Sequence, residues 1–319
     1  MSHLVETMAY VGQTPWHGLG TQLTHNQPIE VWAEQAGLNW EIKQTPVRFT
    51  ADEQDLTSSP LTFINKKVLY RSDTKEPLSV VSNRFQVVQP GEILEFYRDL
   101  TEVSGFELET AGVLNGGKKI WALARTGQSV ALRGNDVTNG YVLLATACDG
   151  SLATTAQFTS IRVVCNNTLA VALNDSSQSV KVPHNTTFDA EAVKKQLGIS
   201  VASWNDFIYK LKTLSLREVS NKDSEDFFRH VFATPDKKLG LGVAETPMIK
   251  AKSLYEGQGR GSMLESSRGT AFGLLNSITE FVDHERRAKT IDNRLDSAWF
   301  GQGAVLKQRA FEHAMTLVA

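Results

Sequence analysis

Tyr141–Leu173 reads YVLLATACDGSLATTAQFTSIRVVCNNTLAVAL, and the reading of this stretch decides the fold. Two apolar runs flank Asp149-Gly150. An Asp-Gly pair between runs rich in β-branched residues signals a hairpin, because a two-residue turn needs positive φ at its centre. Tyr141, Leu143 and Ala145 alternate with Val142, Leu144 and Thr146, and neither set is clearly polar. That predicts a strand buried on both faces. After the turn, Leu152, Ala156 and Phe158 fall on one side with Thr154, and Thr155 and Gln157 on the other. Ile161, Val163 and Cys165 then alternate with Arg162 and Val164, up to the polar Asn166-Asn167-Thr168. An arginine inside such a run is either a rim residue or an anion contact. The rim is the expectation, since charges are rarely fully buried unless paired.

Upstream, Phe106–Leu114 and Lys118–Arg125 flank Asn115-Gly116-Gly117, a second hairpin signal. Residues 28–105 read as helix, three antiparallel strands, helix. Pro28 opens the first helix and Gly37 ends it. Strands follow at Trp40–Phe49, Leu61–Tyr70 and Leu78–Val88. Pro90 opens the second helix, whose Ile93, Phe96, Tyr97 and Leu100 make an amphipathic stripe. Residues 1–27 read as an arm packed through Tyr10 and Trp16. Downstream, Ser179–Pro183 is a further short strand. The pattern then turns helical: Asp189 caps a helix to Leu197, and helices follow at Ser200–Leu214, Asp223–Phe232, Gly269–Lys289 and Ala304–Val318. Residues 235–268, rich in Gly, Ser and charge, read as a mobile loop.

The expected architecture is therefore α+β: a curved antiparallel sheet with helices packed on one face, followed by a helical C-terminal part. The expected divisions are an N-terminal arm (1–27), a β-rich core with two helices (28–187) and a helical part (188–319).

Composition narrows the function classes. The 319 residues are 41% apolar and 21% charged, with net charge −2, as in a water-soluble globular chain. That charge excludes a surface basic all over, but leaves room for a local basic groove. Cys148 and Cys165 both lie in apolar runs and read as buried thiols of a reducing cytoplasm. No apolar run reaches membrane-spanning length, and Met1–Gly12 lacks the features of a signal peptide. His3, His17 and His25 fit no metal-ligand spacing, so neither a metal nor a cofactor is expected.

Four pieces carry a resemblance: TPWHGLG (Thr14–Gly20), ETAGVLNGGKKIWALA (Glu109–Ala124), DGSLATTAQFTSIRVVCNNTL (Asp149–Leu169) and GTAFGLLNSITEFVDHERR (Gly269–Arg287). Together they resemble a family of phage- and plasmid-borne proteins, described as phage/plasmid-like with a domain of unknown function. The resemblance runs in order over nearly the whole chain and implies no particular activity. In that family a histidine often precedes the Asp-Gly pair. Here Cys148 stands there, which argues against a catalytic His-Asp pair. The helix–three strands–helix order of residues 28–105 is also similar to the core of the single-strand annealing proteins of phages and eukaryotes, a likeness of fold alone.

Candidate chemistry lies in four places. Gly257-Gln-Gly-Arg-Gly-Ser262 has the look of a phosphate cradle, but no Gly-Lys-Ser/Thr run precedes a helix and no Rossmann pattern is present. Glu280 and His284, four apart with Asp283 beside them, would share a face with Asn276 and Arg287. That face is either a polar network or an acid–base or metal site. Asp149, with Asp136 or Glu109, reads as turn chemistry before it reads as a paired acid site. Basic residues cluster at Lys66, Lys67 and Arg71, at Lys118, Lys119 and Arg125, and at Arg286, Arg287, Lys289, Arg294, Lys307 and Arg309, with Tyr70, Phe85, Trp121 and Trp299 close in sequence. Positive charge among aromatic faces suits sequence-tolerant single-strand binding; lysines keeping strand edges soluble are the plain alternative.

The leading expectation is a non-enzymatic single-stranded-DNA-binding or annealing protein acting in recombination or replication. It would be cytoplasmic and homo-oligomeric, with host or phage recombination proteins as further partners and no membrane. Lys66, Lys67, Lys118, Lys119, Arg162, Arg286 and Arg287 would line the groove, with Trp121 stacking on a base. The alternatives are a module that inhibits or redirects a host enzyme, and a metal-dependent hydrolase or nuclease using Asp149, Glu280 and His284.

Overall fold

The structure is a computed structural model that describes residues 5–12, 20–51, 59–102, 105–162, 164, 167–170, 179–197, 201–236, 240–289 and 291–318. Trp16, His3, His17, Cys165 and Asn166 lie outside the described residues. The chain divides into two compact units that interleave in sequence. Unit 1 is Met1–Arg125, Val142–Gln157 and Ser179–Leu197; unit 2 is Thr126–Tyr141, Phe158–Gln178 and Gly198–Ala319.

The fold is α+β with a large sheet and a helical C-terminal part. Unit 1 holds β1 (Val5–Val11), β2 (Thr21–Leu23), α1 (Ile29–Gln35), β3 (Ile42–Phe49), β4 (Leu61–Arg71), β5 (Pro77–Ser82), α2 (Pro90–Glu102) and β6 (Glu107–Leu114). It also takes the first part of β7 (Lys119–Leu132), the second part of β8 (Asp136–Ala147) and the first part of β9 (Thr154–Arg162). β11 (Val180–Val182) and α3 (Ala190–Leu197) complete it. Its sheet order is β2-β1-β6-β7-β8-β9-β11, and β3-β4-β5 form a separate antiparallel sheet. The expected N-terminal arm thus contains an internal strand: β1 pairs β6 antiparallel and β2 parallel, and Met8, Ala9 and Tyr10 are buried.

Both sequence-read hairpins form. β6 and β7 pair antiparallel up to Leu114↔Lys119 across Asn115-Gly116-Gly117. β8 and β9 close through a longer turn than the two residues expected, in which the Asp149 carboxylate accepts the Ser151 amide at 2.9 Å. Asp189 caps α3 through the Ala192 amide, at 3.0 Å. The α2 stripe is buried as its spacing requires, with Ile93, Phe96 and Tyr97 inaccessible. The Tyr97 hydroxyl donates to the carbonyls of Ala122 (2.7 Å) and Val142 (3.1 Å), which ties α2 to β7 and β8.

Unit 2 holds the remaining parts of β7, β8 and β9 with β10 (Asn167–Ala170), in the order β7-β8-β9-β10. It continues with α4 (Val201–Leu216), α5 (Asn221–Val231), a hairpin of β12 (Ala233–Asp236) and β13 (Gly240–Val243), and α6 (Glu245–Ser253). α7 (Ala271–Glu280), α8 (Ile291–Trp299) and α9 (Gln302–Thr316) follow. Wide π turns at Leu254–Gln258 and Phe281–Glu285 extend α6 and α7. The stretch read as a loop from 235 to 268 therefore carries a strand pair and a helix, with Ser266 and Ser267 buried. Its glycines hid α6, which is weakly amphipathic; α8 also escaped the sequence reading.

Tyr97→Phe should lower unfolding free energy by about 1–3 kcal/mol, because two buried carbonyls lose their shared donor. Urea denaturation measures it; an unchanged midpoint would show that the hydroxyl contributes nothing.

Candidate functional site

Unit 2 gathers most of the chemistry-bearing side chains, and its centre is Arg162. β9 delivers this arginine to the interior, 3% exposed. Its Nε donates to both oxygens of Asp136, at the start of β8, at 2.8 and 2.9 Å, and its Nη2 donates to Oδ2 at 2.5 Å. Nη2 also reaches the Ser267 hydroxyl (2.8 Å) and the Gly261 carbonyl (3.2 Å), and the guanidinium lies over the Phe272 ring. The Ser266 hydroxyl donates to Asp136 at 2.5 Å. A buried charge is tolerated when paired and hydrogen-bonded in this way. The rim expectation for Arg162 is corrected: Asp136 is its partner.

The Gly-rich segment folds over this pair. At Gly261 φ is +69°, and a Cβ there would come within 2.8 Å of Val164 and 3.1 Å of Arg162. At Gly259 a Cβ would sit 2.6 Å from the Leu254 carbonyl and 2.9 Å from a Glu280 oxygen. The glycines answer close packing. The Glu280 carboxylate accepts the Arg260 amide with both oxygens at 3.0 Å. The segment with the look of a phosphate cradle thus holds the chain's own anion. Burial pushes the Glu280 carboxyl above the ordinary range, opposed by the Arg260 amide and by the Arg260 and Arg162 charges. The two cavities that Arg162 lines measure about 20 and 10 Å³, room for at most one water each.

The polar face expected along the helix from Gly269 is broken by the π turn, which shifts the register after Glu280. Asp283 turns to Lys307, whose Nζ donates to its Oδ1 at 2.9 Å and to the Thr168 hydroxyl at 2.7 Å; the Thr168 amide donates to Oδ2 at 2.7 Å. Lys307, expected in a basic cluster, is buried in this pair. Asp149 belongs to unit 1, and Glu280 and His284 to unit 2. Among the described residues no three His, Cys, Asp or Glu side chains gather as a metal ion would require. Cys148 is buried, and its thiol is pushed up to about 12 by burial and the Asp149 charge, unsuited to nucleophilic work.

An open groove of about 560 Å³ is of ligand size. The end of α5 with β12, the start of α6, the second π turn and α9 supply its walls. Its floor includes Phe232, Phe281, Val305 and Leu306; Lys250, Arg286, Arg287 and Arg309 stand around it with Glu285. Arg309 donates to the Val231 and Ala233 carbonyls at 3.0 and 3.3 Å, Arg286 to the Ser297 hydroxyl at 2.9 Å, and Lys250 pairs with Glu285 at 3.2 Å. Arg287 is exposed, with no ion-pair or hydrogen-bond partner among the described residues. Two fixed guanidiniums, one free guanidinium and an apolar floor can hold an anion that also carries flat or apolar groups.

The sequence-predicted residues fall into three sets. Arg286 and Arg287 meet at this groove. Lys66, Lys67 and Lys118 belong to unit 1 with exposed or half-buried side chains; Lys67 Nζ donates to the Phe85 carbonyl at 2.9 Å. Trp121 and Lys119, 2% and 7% exposed, are core residues like Arg162. These three are corrected: none offers a face or charge to a nucleic acid from the surface. Arg309 was visible only as part of a basic run. Lys250, Phe232 and Phe281 carried no sequence signal, since the groove assembles from separated segments.

Residues 77–299 match the family model described as Domain of unknown function (DUF932), more than half of the chain. The chain belongs to that family. The family match agrees with the resemblance to a family with a domain of unknown function. No curated protein matches the chain. The DUF932 match contains the Asp136–Arg162 pair, the Gly-rich segment and the groove walls up to Arg287; it ends before α9. Among the described residues no helix is long and apolar enough to cross a membrane.

Asp136→Ala, which strands Arg162, should cost about 3–5 kcal/mol in urea denaturation; a loss below about 1 kcal/mol would contradict the pairing. The raised Glu280 carboxyl favours the protonated folded state, so its contribution is present at low pH and is lost as pH rises through the folded value. Glu280→Gln removes that loss. Its melting temperature relative to wild type should be higher at pH 7 than at pH 4, and equal differences would refute the linkage.

Proposed function

We propose that this DUF932 protein is a single-stranded-DNA-binding or annealing protein of a phage or plasmid. It would act in recombination or replication in the bacterial cytoplasm, without covalent catalysis. The groove of unit 2 carries the reading. Arg286, Arg287 and Arg309 face a cavity floored by Phe232, Phe281, Val305 and Leu306. Guanidiniums suit phosphates, and an apolar floor suits bases turned away from water. A bent single strand presents both together; a duplex keeps its bases inside. Lys66, Lys67 and Lys118 are further backbone contacts offered by unit 1. The likeness of residues 28–105 to single-strand annealing proteins supports the reading at the level of fold.

A second reading, a module that binds a host protein, is favoured by the same apolar floor: an acidic peptide with apolar side chains also fits such a rim.

Anisotropy of labelled oligothymidylate at two salt concentrations, with a duplex control, separates them. Binding should favour the single strand and weaken with salt. Arg287→Glu, at an exposed residue, should reduce affinity at least tenfold and flatten the salt slope by about 0.7, one phosphate contact on a single strand. Unchanged affinity and slope would remove the groove from DNA binding; salt-insensitive capture of one host protein would favour the second reading.

A further inference from the structure

The β3-β4-β5 sheet of unit 1 is buried at one end and half-exposed at the other. Ile42, Leu69 and Val81 sit in the core. Beyond Lys67↔Pro46 the register jumps to Phe63↔Val47, so residues 64–66 of β4 intervene as an irregularity. Such a break bends a strand pair away from its sheet. The outer pairs are Phe63↔Val47, Thr62↔Arg48 and Leu61↔Phe49. Across directly opposite positions, Val47, Phe49, Leu61 and Phe63 share one face. Phe49, Leu61 and Phe63 are 46, 52 and 48% exposed, so about half of each of these apolar side chains is left to solvent.

The same segment has an open edge. β5 pairs β4 only from Lys66 inward. Asn83 then caps the strand: its amide donates to the Asn65 carbonyl at 3.3 Å and its side chain to the Ile64 carbonyl. Leu61–Phe63 therefore has β3 on one side and no described strand on the other. The opposite edge of the sheet, β3, carries Lys43, Pro46 and Arg48, the residues that block strand addition. Leu61–Asn65 carries no charge. One edge is guarded; the other is apolar and, among the described residues, unpaired.

We infer that this edge is where a second copy of the chain docks, by antiparallel pairing of β4 with β4 about a two-fold axis at Thr62. The edge is complementary to itself. Antiparallel pairing centred on Thr62 sets Leu61 of each copy opposite Phe63 of the other, and Thr62 opposite Thr62. These are favourable cross-strand pairs, and no like charges face each other. A two-fold contact of one patch with itself is the commonest form of homo-oligomer. The two apolar stripes join into one surface, and two three-stranded sheets become one of six strands.

The test uses the full chain. Sedimentation velocity over a range of concentrations should show reversible dimers or larger assemblies, and Phe63→Glu should shift them to monomer. Phe63 is half exposed, so circular dichroism of that variant should match wild type. In a Cys165→Ser background, Thr62→Cys should form a covalent dimer under mild oxidation, because residues facing across a two-fold pair lie within disulfide reach. Val80→Cys, exposed on β5 away from the edge, should not. A monomer at every concentration overturns the inference, as does an assembly that survives Phe63→Glu. Flotation of a monomeric chain with phosphatidylglycerol vesicles, lost in Phe63→Glu, also overturns it and assigns the stripe to a lipid surface.

Discussion

The buried ion pair of Asp136 and Arg162 is the constraint on which unit 2 depends. Two charges taken out of water at the start of β8 and the end of β9 need their remaining hydrogen-bonding capacity met. The chain meets it with Ser266, Ser267 and the Gly261 carbonyl, all from the segment before α7. That segment must therefore lie close, and glycine at 259 and 261 lets it. Closure over Arg162 also brings the Arg260 amide to Glu280 and sets where α7 begins. A second buried pair, Asp283 with Lys307, joins the π turn after α7 to α9 and to Thr168.

The groove depends on these two anchors. With α7 positioned by the first and α9 by the second, the π turn between them presents Phe281 and Glu285, and the chain just beyond presents Arg286 and Arg287. A wide turn often marks a functional place in a helix, because one extra residue re-aims the side chains after it. Here it sends Asp283 inward to Lys307. The buried charges serve architecture, and the cations that can meet a ligand stand in the groove, where burial is partial and desolvation is cheaper.

Local features were legible in the sequence. Asn115-Gly116-Gly117 and Asp149-Gly150 marked turns, Pro90 a helix start and Asp189 a cap, because each depends on neighbours within a few residues. Arg162 was not legible in this way: its partner lies 26 residues away on another strand, and nothing in RVV names an aspartate. Trp121 beside two lysines looked like a stacking site, yet its place on β7 points it into the core. α6 was lost among glycines, two of which, Gly259 and Gly261, answer close packing against Glu280 and Arg162. The groove draws on four separated segments, so the sequence showed only its arginines, Arg286, Arg287 and Arg309, as parts of a basic run. The division into units was equally hidden, since β7, β8 and β9 each contribute residues to both.

If the groove of unit 2 receives a single strand, that strand must shield the groove walls from solvent. Hydrogen exchange of the full chain with and without saturating oligothymidylate tests this most directly. Exchange should slow at residues 231–234, 244–250, 281–287 and 302–309, with the buried Asp136–Arg162 region unchanged. Protection elsewhere with these four segments unaffected, or no protection at saturating oligonucleotide, would contradict it.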